Sequence, residues 1–229
     1  MTLIKTPQRA EQAQEQIHVM SYEQFLSEID ENIHAEWVNG ETIIFLPPNS
    51  RHQDIAGFLY ALLRNYIKFF HLGQIFSAPY EMKVTPDSNA REPDILFVTK
   101  ANLARISEKK LEGPADLLIE IISPESAARD RSDKFYEYQD VGVCEYWLFD
   151  PRPRRERADF WILDDNGLYG PVPLDQGIYR STVLPNFWLN VNWLWQDKLP
   201  DPLSALARIV GPDTLIAFLQ RMKEERDKD

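Results

Sequence analysis

Apolar positions along the chain recur with two different spacings. Ile55, Phe58, Leu59, Leu62, Leu63, Tyr66, Ile67 and Phe70 are three and four residues apart, which predicts a long helix over 51–70 with a broad buried stripe. Gly73 is placed to stop it. The runs at 94–98, 116–122 and 144–149 are short and almost wholly apolar, and read as buried strands. Asn39-Gly40 separates the runs at 34–38 and 41–46, a strong hairpin signal because both turn residues must take positive φ. Pro47-Pro48 then ends the second strand. Ser21 followed by Gln24 has the form of a capping box and predicts a helix near 21–30.

Further extended runs fall at 74–78 and 80–84, and a short helical piece at 101–106. A helix is predicted over 127–140, ended by Gly142. Strand-like runs follow at 158–163, 178–183 and 187–195, and helical ones at 203–210 and 214–226. The fold class this describes is α/β or α+β, a central mixed β-sheet flanked by helices with extra strands and a helical C-terminal tail. The expected division is a flexible arm at 1–18, one globular domain at 19–198 and a helical extension at 199–229.

Composition narrows the class only a little. With 229 residues, 44% of them hydrophobic and 27% charged, the chain has enough for one well-buried core. No apolar run approaches the ~20 residues of a membrane span, and the polar N-terminus has no secretion-signal pattern. Cys144 is the single cysteine, read as a small apolar strand residue; intramolecular disulfides and cysteine-rich zinc sites are excluded. These features point to the cytosol. A net charge of −11 argues against avid coating of nucleic acid, but not against phosphodiester chemistry at a local site.

One residue breaks the apolar pattern. Glu120 stands inside Leu117-Leu118-Ile119-Glu120-Ile121-Ile122, where an unpaired charge would cost several kcal/mol or more. Strand alternation puts Leu118, Glu120 and Ile122 on one face. If the 94–98 and 116–122 strands are neighbours, Asp94 converges on Glu120 at one end of the sheet. Two convergent carboxylates suit a hard cation such as Mg²⁺ or Mn²⁺, and Lys134, early in the next helix, is the best-placed ammonium to assist attack on a phosphate.

The ordered set Glu36-Trp37-Val38-Asn39-Gly40-Glu41, His52, Glu92-Pro93-Asp94, Leu118 to Pro124, Asp130, Lys134, Tyr138, Gly142-Val143 and Glu145-Tyr146-Trp147 resembles the Uma-two family of restriction-endonuclease-like proteins, in the PD-(D/E)XK nuclease superfamily. The resemblance spans roughly residues 20–195. It implies a restriction-endonuclease-like core and a metal-dependent endonuclease acting on nucleic acid, with DNA the expected substrate. It also implies Asp94, Glu120 and Lys134 as catalytic residues, and Asp94, Glu120 and Glu36 as metal ligands. A homodimer follows by analogy with nucleases that cut both strands. In the broader superfamily the lysine stands two residues after the glutamate; here that position is Ile122, and Lys134 takes its place in the family pattern.

Each residue also has a plainer reading. Asp94 suits a turn at a strand start, and Glu120 a buried ion pair, with Lys134 as one partner. Asp130 and Lys134 are spaced as an ordinary i,i+4 helix pair. Glu36 is either a third acidic ligand or the outward residue of a hairpin. His52, Arg91, Asp130 and Tyr138 are candidates for supporting contacts or phosphate contacts. The arginines at 152, 154, 155 and 157 either track a nucleic-acid backbone or form a solvated turn. Trp188, Trp193 and Trp195 either offer base-stacking platforms or, as their strand spacing suggests, are core or a dimer surface. The rival to catalysis is a non-catalytic nucleic-acid- or protein-binding module that retains the nuclease fold.

Overall fold

Asn39 and Gly40 take the positive φ values, +51° and +85°, that a two-residue hairpin turn needs. They join β2 (Ala35–Val38) to β3 (Glu41–Ile44). The computed structural model describes residues 16–30, 33–45, 49–124 and 126–226. Before the hairpin come β1 (Gln16–Val19) and α1 (Tyr22–Glu28). The capping box of α1 forms in full, with Ser21 and Gln24 exchanging side-chain and backbone bonds. Most of the arm expected at 1–18 lies outside the described residues, as does Pro47-Pro48. Gln16–Val19, at the end of that arm, pairs with β3 as an edge strand.

The long helix α2 (Ser50–Phe70) buries the stripe its spacing predicts, with Ile55, Leu59, Leu62 and Leu63 fully inaccessible. Gly73 does not stop it. His71 does, in the left-handed region at φ +51°, and its N–H caps the last turn. Gly73 instead opens β4 (Gly73–Ser77), where a Cβ would meet the Val98 carbonyl oxygen at 2.0 Å. The close approach of two strands is what demands glycine there.

Next along the chain are β5 (Glu81–Lys83), β6 (Ala90–Arg91), β7 (Ile95–Thr99), a 3₁₀ turn at Lys100–Arg105, β8 (Lys110–Leu111) and β9 (Leu117–Ile121). The helix expected over 127–140 breaks at Ser132 into α3 (Ala127–Arg131) and α4 (Asp133–Asp140). Then follow β10 (Glu145–Asp150), β11 (Arg157–Leu163), β12 (Tyr169–Pro171), β13 (Ile178–Arg180) and β14 (Trp188–Asn190). The late apolar run turns into a 3₁₀ helix at Val191–Trp195 rather than continuing as strand, and α5 (Pro202–Val210) and α6 (Pro212–Arg226) form the tail. Cys144 is exposed just ahead of β10, not buried in it. Of the late tryptophans, Trp193 is core, while Trp188 and Trp195 are partly buried against it.

Two six-stranded mixed sheets result. The core sheet runs β12-β11-β10-β9-β7-β4, with β9 and β10 parallel and joined through α3 and α4. The second runs β1-β3-β2-β6-β5-β8. Alternation along β9 sorts its side chains between two apolar clusters. Leu117, Ile119 and Ile121 pack on the side of α2 and α5, while Leu118 and Ile122 pack with Tyr138, Tyr146 and Leu148. Glu120 therefore points to the α4 side, into a region that would otherwise be a plain hydrophobic core.

Candidate active site

β7 and β9 are antiparallel neighbours, with Ile95 opposite Ile119, so Asp94 and Glu120 do lie at the same end of the sheet. Where the backbone of β7 stops, the Asp94 side chain takes over its pairing: the Ile121 N–H donates to Oδ2 at 2.7 Å. His52 reaches the same oxygen from the first turn of α2, Nε2 to Oδ2 at 3.2 Å. That turn is fixed by Asn49, whose side chain accepts from the His52 N–H at 2.9 Å. Burial lowers the His52 pKa, but the Asp94 carboxylate more than offsets it and holds it above the ordinary value.

Glu120 is 4% exposed and Lys134 is 3% exposed. Lys134, carried by α4, places Nζ 2.9 Å from Glu120 Oε1, 3.0 Å from Glu36 Oε1 and 3.5 Å from Asp130 Oδ1. Tyr138, one turn further along α4, donates to the same Glu120 oxygen at 2.7 Å. The lysine of the helix thus reaches the point that Ile122 cannot serve. The break at Ser132 separates Asp130 at the end of α3 from Lys134 at the start of α4, and both side chains still face Glu120.

Glu36 comes from the second sheet and is fully buried, not the outward residue of its hairpin. Arg91 donates to its Oε2 at 2.9 Å, and Lys134 and the Glu92 N–H address Oε1. With both oxygens engaged, Glu36 has the surroundings of a group that positions Lys134 rather than of a metal ligand. Arg91 is 2% exposed and divided between Glu36 and Glu137, so it pairs with carboxylates and is not presented to a phosphate.

Charge balance explains the titration of the cluster. At 3 Å and an effective dielectric of 20, one ion contact is worth on the order of 5 kcal/mol before desolvation. Burial pushes the Glu36 carboxyl up, but Lys134 and Arg91 outweigh it and hold it down at about 2. Glu120 goes the other way. Burial raises it to about 8 against the pull of Lys134, with Asp130, Asp94 and Glu36 adding repulsion. One lysine cannot neutralise three carboxylates. Lys134 itself stays protonated, held well above its ordinary value by those acids despite its burial.

Among the described residues no group of three histidine, cysteine or acidic side chains stands ready to hold a metal ion. The donor chemistry still fits a hard cation that keeps most of its water. His52 and Ile121 both use Oδ2 of Asp94, and Lys134 and Tyr138 both use Oε1 of Glu120. This leaves Oδ1 and Oε2 as the oxygens suited to Mg²⁺, which needs only one or two carboxylates. Asp94 and His52 open onto a cleft of about 500 Å³ that His34, Tyr60, Ser77 and Pro79 also line.

A model of the Uma2 family, described as "Putative restriction endonuclease", matches residues 10–192. The chain belongs to the Uma2 family. Among solved structures it is similar to one described as a "putative nuclease belonging to DUF820" from Anabaena variabilis, with a TM-score of 0.62 and 15% identity. That match covers 76% of this chain and 96% of the other. At such identity the likeness speaks for the fold alone, a nuclease-like one. No curated protein matches the chain.

Within this Uma2 chain, sequence reasoning passed over the role of one fully buried acid. Glu145 opens β10 on the opposite sheet face, and its carboxylate accepts from Trp147 Nε1, Tyr179 OH, Ser181 Oγ, Val183 N and both the N–H and hydroxyl of Thr182. An acid heading the apolar run Tyr146-Trp147-Leu148-Phe149 was the available signal. The basic turn after β10 is partly self-neutralised: Arg152 is bound to Asp150 and Arg157 to Asp159.

Proposed function

We propose that this Uma2 chain is a divalent-cation-dependent endonuclease that hydrolyses phosphodiester bonds in DNA. The observation that carries the reading is the convergence of Lys134, from the helix, on Glu120 beside an Asp94 that faces a cleft. Asp94 and Glu120 would hold Mg²⁺ or Mn²⁺ through Oδ1 and Oε2. When bound, such a cation supplies Lewis acidity and a water of lowered pKa. His52 and the Ile121 N–H fix the Asp94 carboxylate, and Tyr138 and Lys134 fix that of Glu120. Lys134 keeps its proton and places positive charge beside the attacked phosphate, where negative charge develops. Glu36 and Asp130 position the ammonium, and Arg91 holds Glu36.

The test is cleavage of supercoiled, linear and single-stranded DNA with Mg²⁺, Mn²⁺ or chelator. Asp94→Asn and Glu120→Gln are each expected to lower the rate by about 10²–10³-fold, the loss typical of one removed transition-state contact. A native protein that cuts none of these and binds neither metal by calorimetry sinks the proposal.

A second reading, a non-catalytic binding module, is favoured by one observation. Asp94 and His52 line the cleft, whereas the Lys134 ammonium is engaged by three carboxylates and nearly inaccessible. Glu120→Leu separates the two. If it stabilises the fold and leaves metal and nucleic-acid binding intact, the module reading holds.

A further inference from the structure

The cleft at Asp94 continues beyond the acids. α2 runs along the core sheet's edge strand β4 in the opposite sense: residues near His52 face Ser77, and His71 adjoins Gly73. Two cavities, of about 500 and 540 Å³, lie along this one seam and share Tyr60. The first holds His52 and Asp94. The second is lined by Arg64, Lys68, His71 and Lys100. Across both, the only carboxylate among the described lining residues is Asp94, on a chain whose net charge is −11.

Helical geometry sets these cations out in order. Tyr60, Arg64 and Lys68 are successive i,i+4 neighbours on α2, about 6 Å apart along its axis, and Arg64 and Lys68 are exposed. Arg64 Nη1 approaches the Tyr60 hydroxyl at 3.4 Å, and its guanidinium carbon lies 5.8 Å from the ring centroid, so the two side chains are held together at the junction of the cavities. An aromatic ring at the mouth of the acidic site, followed by one cation per helical turn, is the arrangement that grips a nucleic-acid strand by a base face and then by its phosphates.

Resting on the nuclease reading for the site itself, we infer that the α2–β4 cleft is the substrate track. The strand passes Tyr60 as it leaves Asp94, and its flanking phosphates are bound by Arg64, Lys68 and Lys100. The arginine turn after β10 is not that track. Two of its four arginines are tied to Asp150 and Asp159.

The experiment measures binding of labelled single-stranded and duplex DNA to the full chain in chelator, by anisotropy across a salt series. Arg64→Glu/Lys68→Glu is expected to weaken binding about tenfold or more, and to reduce the log–log salt slope by about 1.4 to 1.8, the value for two lost phosphate contacts. Arg64→Gln/Lys68→Gln, which leaves the fold less disturbed, should shift both in the same direction. Arg154→Glu/Arg155→Glu should leave both unchanged. Unchanged affinity in the α2 variants, loss confined to the Arg154/Arg155 pair, or a native chain that binds no DNA overturns the track. So does an α2 variant that changes only the oligomeric mass in sedimentation, which would make this sheet edge a contact between copies of the chain. The two readings fail separately. Binding through Arg64 and Lys68 without any cleavage by the native chain keeps the track and removes the nuclease. Cleavage by the α2 variant with native KM does the reverse.

Discussion

Glu120 and Glu145 are both buried glutamates on adjacent parallel strands, one on each face of the same sheet, and their surroundings differ in kind. Among the described residues, Glu145 accepts from neutral donors only: an indole, a phenol, two hydroxyls and two backbone N–H groups. Its donors at 179–183 tie the two-stranded antiparallel sheet of β13 and β14 to the core sheet. Glu120 has, among the described residues, one neutral donor, Tyr138, one cation, Lys134, and three further carboxylates close enough to repel it. A buried acid saturated by fixed dipoles has nothing left to do except hold the fold. A buried acid short of positive charge, behind an Asp94 that lines a cleft, is where the proposed cation would restore the balance.

The sharpest way to break this contrast is to remove both carboxylates in parallel. Glu145→Leu strands several buried donors, each costing ~1–3 kcal/mol. It should destabilise the protein by about 4 kcal/mol or more, lowering Tm by roughly 8–16 °C for a domain of this size. Glu120→Leu removes a charge that burial disfavours and leaves Lys134 two other carboxylates. Its stability should change by less than about 2 kcal/mol, while cleavage and metal binding disappear. Calorimetry on both variants decides; equal destabilisation would make Glu120 a second structural anchor.

Lys134→Met is the next largest effect. It leaves Glu36, Glu120 and Asp130 without their shared cation, and breaking a buried pair in this way costs about 3–5 kcal/mol. Adding Glu120→Leu to Lys134→Met relieves part of the repulsion, so the double variant should recover at least about 1 kcal/mol relative to additivity. Urea unfolding of the four proteins measures that coupling. No recovery would mean that the cluster is not held together by charge.

The anomaly of Glu120 and its face of the strand were legible in the sequence because alternation alone decides them. The hairpin at Asn39-Gly40 and the capping box at Ser21 were legible for the same reason: their signals are local. The convergence of Glu36 and Arg91 on Lys134 was not. It depends on how a second sheet built from short strands, two of them only two residues long, lies against α4, and so short a strand has no periodicity to read. Glu145 is opaque in a different way, since the donors that define its role stand 34 or more residues away, apart from Trp147. Gly73 misled because a glycine after a helix has two uses, and the close approach of Val98, not the helix end, claimed this one.

A smaller effect sharpens the electrostatic side. The folded pKa of Glu36 is depressed to about 2, against about 4.3 for an unfolded glutamate. Its ionised form therefore contributes stability that is present above pH 4.3 and lost as pH falls through about 2, on the order of 3 kcal/mol in full. Glu36→Gln should be less stable than the native protein by about that amount at pH 6, and the gap should narrow steadily as denaturation is repeated towards pH 2.5. A gap that stays constant with pH would assign the loss to packing instead.

The smallest effects come from the two tyrosines, and they test whether the two glutamates differ in function as well as in setting. Tyr138 donates to Glu120 and Tyr179 to Glu145. Either phenylalanine variant loses one hydrogen bond to a carboxylate, about 1.5–3 kcal/mol. Without Tyr138 the ionised form of Glu120 has one donor fewer, so its carboxyl titrates higher still. Tyr138→Phe should then move the acidic limb of the kcat/KM profile to higher pH, with the rate recovering once Glu120 ionises. Tyr179→Phe should lower Tm while leaving that profile in place, because Glu145 lies on the sheet face opposite Glu120. If Tyr179→Phe shifts the profile and Tyr138→Phe does not, the roles assigned to the two faces of the sheet are reversed.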